Sequence, residues 1–154
     1  MNPHLSLSGA LARWLGFAGL IPFVLLSLGC WAAHPDWLPI LVSGQMSYGV
    51  AILAFLGGVH WGAAVLAPDL SAQRTRIALW WGITPSLIGV AAAQLLIGLG
   101  FALLAAAFVM AYLVDRRLYR WYVMPAWFIS LRLRLTCVVV TALTLTFVAV
   151  NFRS

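Results

Sequence analysis

Four uncharged, largely apolar stretches divide this chain: Trp14 to Pro35, Trp37 to Pro68, Ile77 to Val114 and Leu135 to Phe152. A bilayer core about 30 Å thick takes about 20 helical residues at 1.5 Å each. The third stretch runs 38 residues and therefore reads as two crossings joined by a tight turn. The pattern predicts five transmembrane helices, at about 14–33, 45–67, 77–95, 100–114 and 133–151, with the third and fourth turning around Gly98 and Gly100. The expected fold is an all-α integral membrane bundle forming one multi-pass domain over residues 1–154, with a polar interfacial segment at about 115–132.

Composition agrees with the pattern. Hydrophobic residues make up 64% of the chain and charged ones 8%, against about 45–50% and 25% in soluble domains. All nine cations are arginines, and they sit at the edges of the apolar runs: Arg13, Arg74, Arg76, Arg116, Arg117, Arg120, Arg132, Arg134 and Arg153. Nucleic-acid binding would gather such charges on one polar folded face, so nucleic acid is not an expected partner. The positive-inside rule instead predicts a cytoplasmic N-terminus and a periplasmic C-terminus, because only Arg153 then faces out.

That topology puts Cys30 and Cys137 near opposite leaflets, beyond the roughly 7 Å between alpha carbons that a disulfide allows. Ser27-Leu28-Gly29-Cys30 touches on a lipoprotein cleavage box, but the apolar run continues past the cysteine. The first helix is therefore expected to be retained.

The most unusual segment is Phe55-Leu56-Gly57-Gly58-Val59-His60-Trp61-Gly62. Gly58 and Gly62 form a GxxxG pair that would let another helix backbone come close, and Gly57 lies one turn before His60 on its face. His60 falls roughly 12 Å from Pro68 along the helix, at a depth where ionisable groups turn toward a bundle interior or a wet cavity. Two readings stay open. In one, the imidazole hydrogen-bonds to Gln94, Thr84, Ser86, Tyr48 or Tyr112 and fixes packing. In the other, it relays protons or touches a ligand. No metal set accompanies it: His4 and His34 belong near opposite ends.

Pro22 and Pro85 follow similar tetrapeptides, Gly19-Leu20-Ile21-Pro22 and Gly82-Ile83-Thr84-Pro85, and each should loosen its helix and free a carbonyl. The segment from Asp115 to Arg134 mixes arginine with tyrosine and tryptophan, the composition of the headgroup layer. Arg116, Arg117, Arg120, Arg132 and Arg134 are thus candidates for contact with anionic lipid headgroups or an anionic partner. Arg132 and Arg134 would sit at a helix N-terminus, where the dipole disfavours them, so phosphate or Asp115 must compensate. No phosphate loop, no serine–histidine–acid set, no glutamate and no acid within the apolar runs is present. Neither an enzyme nor a cofactor is expected.

Tyr48-Gly49 followed by Phe55 to Gly62 resembles a family of small bacterial inner-membrane proteins of unknown function, domain of unknown function 3429, related to eukaryotic transmembrane protein 69. Gly19-Leu20-Ile21-Pro22-Phe23, Tyr112-Leu113-Val114-Asp115-Arg116-Arg117, Pro125-Ala126-Trp127-Phe128 and Leu131-Arg132-Leu133-Arg134-Leu135 extend the likeness across nearly the whole chain. Ala54 stands where the family pattern leads one to expect serine. The resemblance implies five membrane helices and a bacterial inner-membrane location; it implies no catalytic residues. The mitochondrial assignment of the eukaryotic relative points to energy-coupling membranes, by association only. Two functions are then in view. One is an accessory or assembly subunit of a larger membrane complex, a respiratory one included, with a membrane-protein partner or a second copy of this chain. The other is a proton or small-solute pathway centred on His60.

Overall fold

The computed structural model describes residues 3–122 and 124–153, with side chains described from Gly9 onward; the side chain of His4 lies outside that set. Six α-helices follow one another: α1 (Pro3–Ala18), α2 (Ile21–Ala32), α3 (Leu38–Leu66), α4 (Ala72–Ala93), α5 (Ile97–Leu118) and α6 (Ala126–Arg153). A 3-10 turn, Pro35–Trp37, leads into α3. Five stretches are long and apolar enough to cross a membrane: Gly9–Ala32, Pro35–Leu66, Ala72–Ala93, Ile97–Leu118 and Ala126–Arg153.

The expected first helix is thus two, broken at Gly19–Leu20, because Pro22 at the start of α2 cannot donate to the preceding turn. The Gly19 carbonyl accepts from the Tyr48 hydroxyl at 2.9 Å. Pro85, by contrast, lies inside an unbroken α4. The second helix begins seven residues before the expected Gln45, at Leu38, with Pro39 in its first turn. Ser71 caps α4, accepting from the Arg74 amide, so that helix starts ahead of its arginines rather than after them. The turn between the third and fourth crossings falls at Gln94–Leu96; Gly98 and Gly100 are inside α5. The expected interfacial segment is largely helical too, since α5 continues to Leu118 and α6 starts at Ala126.

Neighbours in sequence are neighbours in space. Helix α2 packs on α3, α3 on α4, α4 on α5 and α5 on α6; α6 closes back onto α2, and α3 also touches α5. The ring encloses Phe23, Leu53, Phe101, Leu104, Phe108 and Leu143, all essentially inaccessible. Outward-facing positions are equally apolar, Phe55 being 66% exposed and Trp14 76%, as expected where lipid rather than water surrounds the bundle. The closest approach is between α3 and α4. A β-carbon on Gly57 would land on the Gly82 carbonyl, and one on Gly82 would land on the Trp61 ring. The Trp61 indole N–H donates to the Leu79 carbonyl of α4 at 3.0 Å, across this seam.

Candidate functional site: a buried histidine–aspartate–arginine cluster

The apolar face of each helix leaves few polar side chains inside, and most of those gather at one point. His60 from α3 and Asp115 from α5 are 0% and 1% exposed, and Arg132 from α6 is 5%. His60 Nε2 lies 2.8 Å from Asp115 Oδ1. An ionised carboxylate only accepts, so Nε2–H is the donor and Nδ1 faces away from the acid. Arg132 Nε donates to Asp115 Oδ2 at 3.0 Å, and its Nη1 donates to Thr136 Oγ1 at 2.9 Å. From α4, Trp81 Nε1 approaches Asp115 Oδ1 at 3.4 Å. One carboxylate thereby links four helices.

Aromatic rings close the cluster. Tyr119 stacks on the imidazole at 5.2 Å and 11°, and Tyr122 lies against it at 5.9 Å. Phe128 meets Tyr119 edge-on at 5.3 Å. Burial, and next the nearby Asp115 charge, push both phenols above their ordinary ionisation range. Among the described residues, His60 Nδ1, Tyr119 Oη, Tyr122 Oη and Arg132 Nη2 have no hydrogen-bond partner. A groove of about 420 Å³ at the α3–α4 turn is lined by Tyr122 and Trp121, and of these Tyr122 also lies against the His60 ring.

The bundle's other end uses polar groups differently. Thr146 donates to Gln45 at 2.6 Å, both fully buried, and Ser27 donates to the Ala142 carbonyl at 3.0 Å. Arg153 donates to the Cys30 and Ala33 carbonyls, satisfying the C-terminal end of α2. Cys30 is buried and Cys137 exposed, both as free thiols.

Of the sequence candidates, His60 is brought into the interior, but not beside the partners foreseen for it. Gln94 is exposed at the end of α4. Thr84 and Ser86 bond carbonyls of their own helix, and Tyr48 is committed to Gly19. Tyr112 is half-buried on α5, and the ring stacked on the imidazole is that of Tyr119. Gly57 is at the α3–α4 seam, opposite Gly82 rather than making room for the ring. Gly58 and Gly62 are exposed, and a β-carbon on either would meet no described residue within 4 Å beyond its own helix. Arg132 turns inward to Asp115, which is the compensation foreseen for it, and is not at a lipid surface. Nor do Arg132 and Arg134 sit at a helix N-terminus, since α6 starts at Ala126. Arg116, Arg117, Arg120 and Arg134 are exposed.

Asp115, Arg132, Tyr119, Tyr122, Trp81 and Thr136 are the members of the cluster that were not among the partners expected for His60. The signal for Asp115 was its place directly after the apolar run ending at Val114. It needed only α5 to continue one more turn for the carboxylate to be intramembrane.

The family model described as "Protein of unknown function (DUF3429)" matches residues 9–148. Transmembrane protein 69 of Xenopus tropicalis is 35% identical over 152 residues, covering 86% of this chain and 51% of the relative. Transmembrane protein 69 of Mus musculus is 32% identical over 151 residues, covering 91% and 56%. The chain therefore spans about half the length of the curated relatives it matches. No solved structure matches it. It is a multi-pass membrane protein, and by the extent of the family match the chain belongs to the DUF3429 family.

Proposed function

We propose that this protein acts by assembly, as an accessory subunit of a larger membrane complex in the bacterial cytoplasmic membrane, with its arginine-rich end in the cytoplasm. The observation that carries the reading is the outer face of α3. Ser43, Ser47, Ala51, Ala54, Gly58 and Gly62 follow one another there at helical spacing, all exposed, and a β-carbon at Gly58 or Gly62 would meet nothing. Between lipid-facing helices there is little hydrophobic drive to associate, so close contact depends on small residues that let backbones approach. Here they lie on the outside, where a partner's transmembrane helix fits, while the chain's own α3–α4 seam uses Gly57 and Gly82.

The interior supports the same preference over a pathway. Leu53 and Leu56 come between Gln45 and His60 along α3, Leu104 and Phe108 precede Asp115 along α5, and all four belong to one buried apolar cluster. Purification from native membranes in mild detergent, with a photocrosslinker at Gly58 or at Phe55, should recover one discrete partner, captured better from Gly58. A chain recovered alone from both positions would defeat the proposal. Proton flux in proteoliposomes that a His60→Gln substitution abolishes would favour the pathway instead.

A further inference from the structure

At the C-terminal end of α5, Arg116 and Arg117 in its last turn and Arg120 just beyond it are all exposed and line one groove. Directly along the helix from them, Met110, Leu113 and Val114 line the same groove, which encloses about 550 Å³. Met110 is 40% and Leu113 53% exposed, so the groove opens outward along its apolar length. Among the described residues none of the three arginines has a carboxylate within ion-pairing distance. The chain has only three acids. Asp115, next to them in sequence, is turned inward and shared by His60 and Arg132. Asp36 pairs with His34, and Asp69 lines a separate groove with Arg74 and Trp121. Three exposed guanidinium groups are therefore left without an internal counter-charge among the described residues.

We propose that this groove is a binding site for an anionic phospholipid, its phosphate held by Arg116, Arg117 and Arg120 and an acyl chain lying along Met110, Leu113 and Val114. Guanidinium forks match phosphate oxygens in a bidentate way that lysine does not. The apolar half of the groove selects a lipid over free phosphate, and the threefold charge selects a headgroup with two phosphates over one with a single phosphate. Each arginine near an anionic surface contributes about fivefold in affinity, so the three together contribute roughly 100-fold. The site is independent of the α3 face invoked above, and neither stands or falls with the other.

Native mass spectrometry of the purified full chain in neutral detergent, with diphosphatidylglycerol or phosphatidylcholine added, tests it. The bis-phosphate lipid should be retained preferentially. The R116Q/R117Q/R120Q variant should lose roughly 100-fold in affinity, and an R76Q control should keep it. If the triple variant does not fold, the wild type still decides: retention should weaken at least tenfold from about 50 mM to about 500 mM salt, as charges at a surface are screened. Equal retention of phosphatidylcholine, salt-insensitive binding, or displacement by inorganic phosphate alone overturns the proposal. So does a triple variant that keeps the lipid but loses a co-purifying protein, which would make the surface a protein contact.

Discussion

Asp115 is the residue on which the buried cluster depends, because it accepts from His60, Arg132 and Trp81 at once. Removing one partner of a buried ion pair costs about 3–5 kcal/mol, chiefly because the other charge stays buried without compensation. Asp115→Asn is therefore expected to lose stability on that scale in denaturant unfolding from mixed micelles. Asp115→Leu combined with Arg132→Met should recover most of it, since no charge is then stranded. If the double variant is as unstable as the single, the pair is not the source of the cost. His60→Gln retains an amide donor toward the carboxylate and should cost only about 1 kcal/mol.

Tyr119 gives a separate test. Its phenol is held above the ordinary range first by burial and then by Asp115. A raised pKa in the fold favours the protonated form, so the contribution is fully present below about pH 10 and is lost as pH rises through the folded value. Ultraviolet titration should show more than one late phenolate, with the latest disappearing in Tyr119→Phe. An unchanged titration curve would contradict the buried placement. The Tyr119 hydroxyl has no hydrogen-bond partner among the described residues, so the same substitution should leave unfolding within about 1 kcal/mol of wild type.

Among the elements, α3 carries two glycine faces with opposite uses. Gly57 abuts the Gly82 backbone, and any side chain there must push α3 and α4 apart. Gly57→Ala should cost about 1–3 kcal/mol, the usual range for overpacking. Gly58→Ala and Gly62→Ala should stay within about 0.5 kcal/mol in the isolated chain. Equal effects at all three positions would mean that the α3–α4 seam is not where the backbone places it. The GxxxG spacing was legible in the residues, but not which glycine faces its own bundle. Three consecutive small or apolar residues, Leu56, Gly57 and Gly58, fit either face. Helix number was legible for a simpler reason: uncharged length alone sets it. Helix ends were not, because Arg74, Arg76, Arg132 and Arg134 were read as boundaries. Arginine has good helix propensity and a long stem, so α4 and α6 run through these positions. The same bias hid Asp115, which belongs to α5 only when the helix extends past the last apolar residue.

For the molecule as a whole, charge asymmetry decides which way the bundle faces. Positions along the helices put eight arginines toward one end, and contacts tie three of them there: Arg13 lies over the Trp127 ring at 5.6 Å, Arg74 over Trp121 at 5.5 Å, and Arg132 joins Asp115. Arg153 alone is tied to the other end, through the α2 carbonyls. The internal pairing of Arg132 with Asp115 removes one charge from the comparison, yet the remaining imbalance is still heavily one-sided. Arginines close to helix ends are the ones that set orientation, and acids contribute little. The arginine-rich end should therefore be cytoplasmic. With Cys30 and Cys137 replaced by alanine, Asp36→Cys and Arg117→Cys report the two ends separately, one lying before α3 and one at the end of α5. A membrane-impermeant maleimide applied to intact cells should label position 36 and not position 117, and lysis should make both reactive. The reverse pattern would put the arginines outside, contrary to the charge rule. It would also move the phospholipid groove at Arg116, Arg117 and Arg120 to the opposite leaflet.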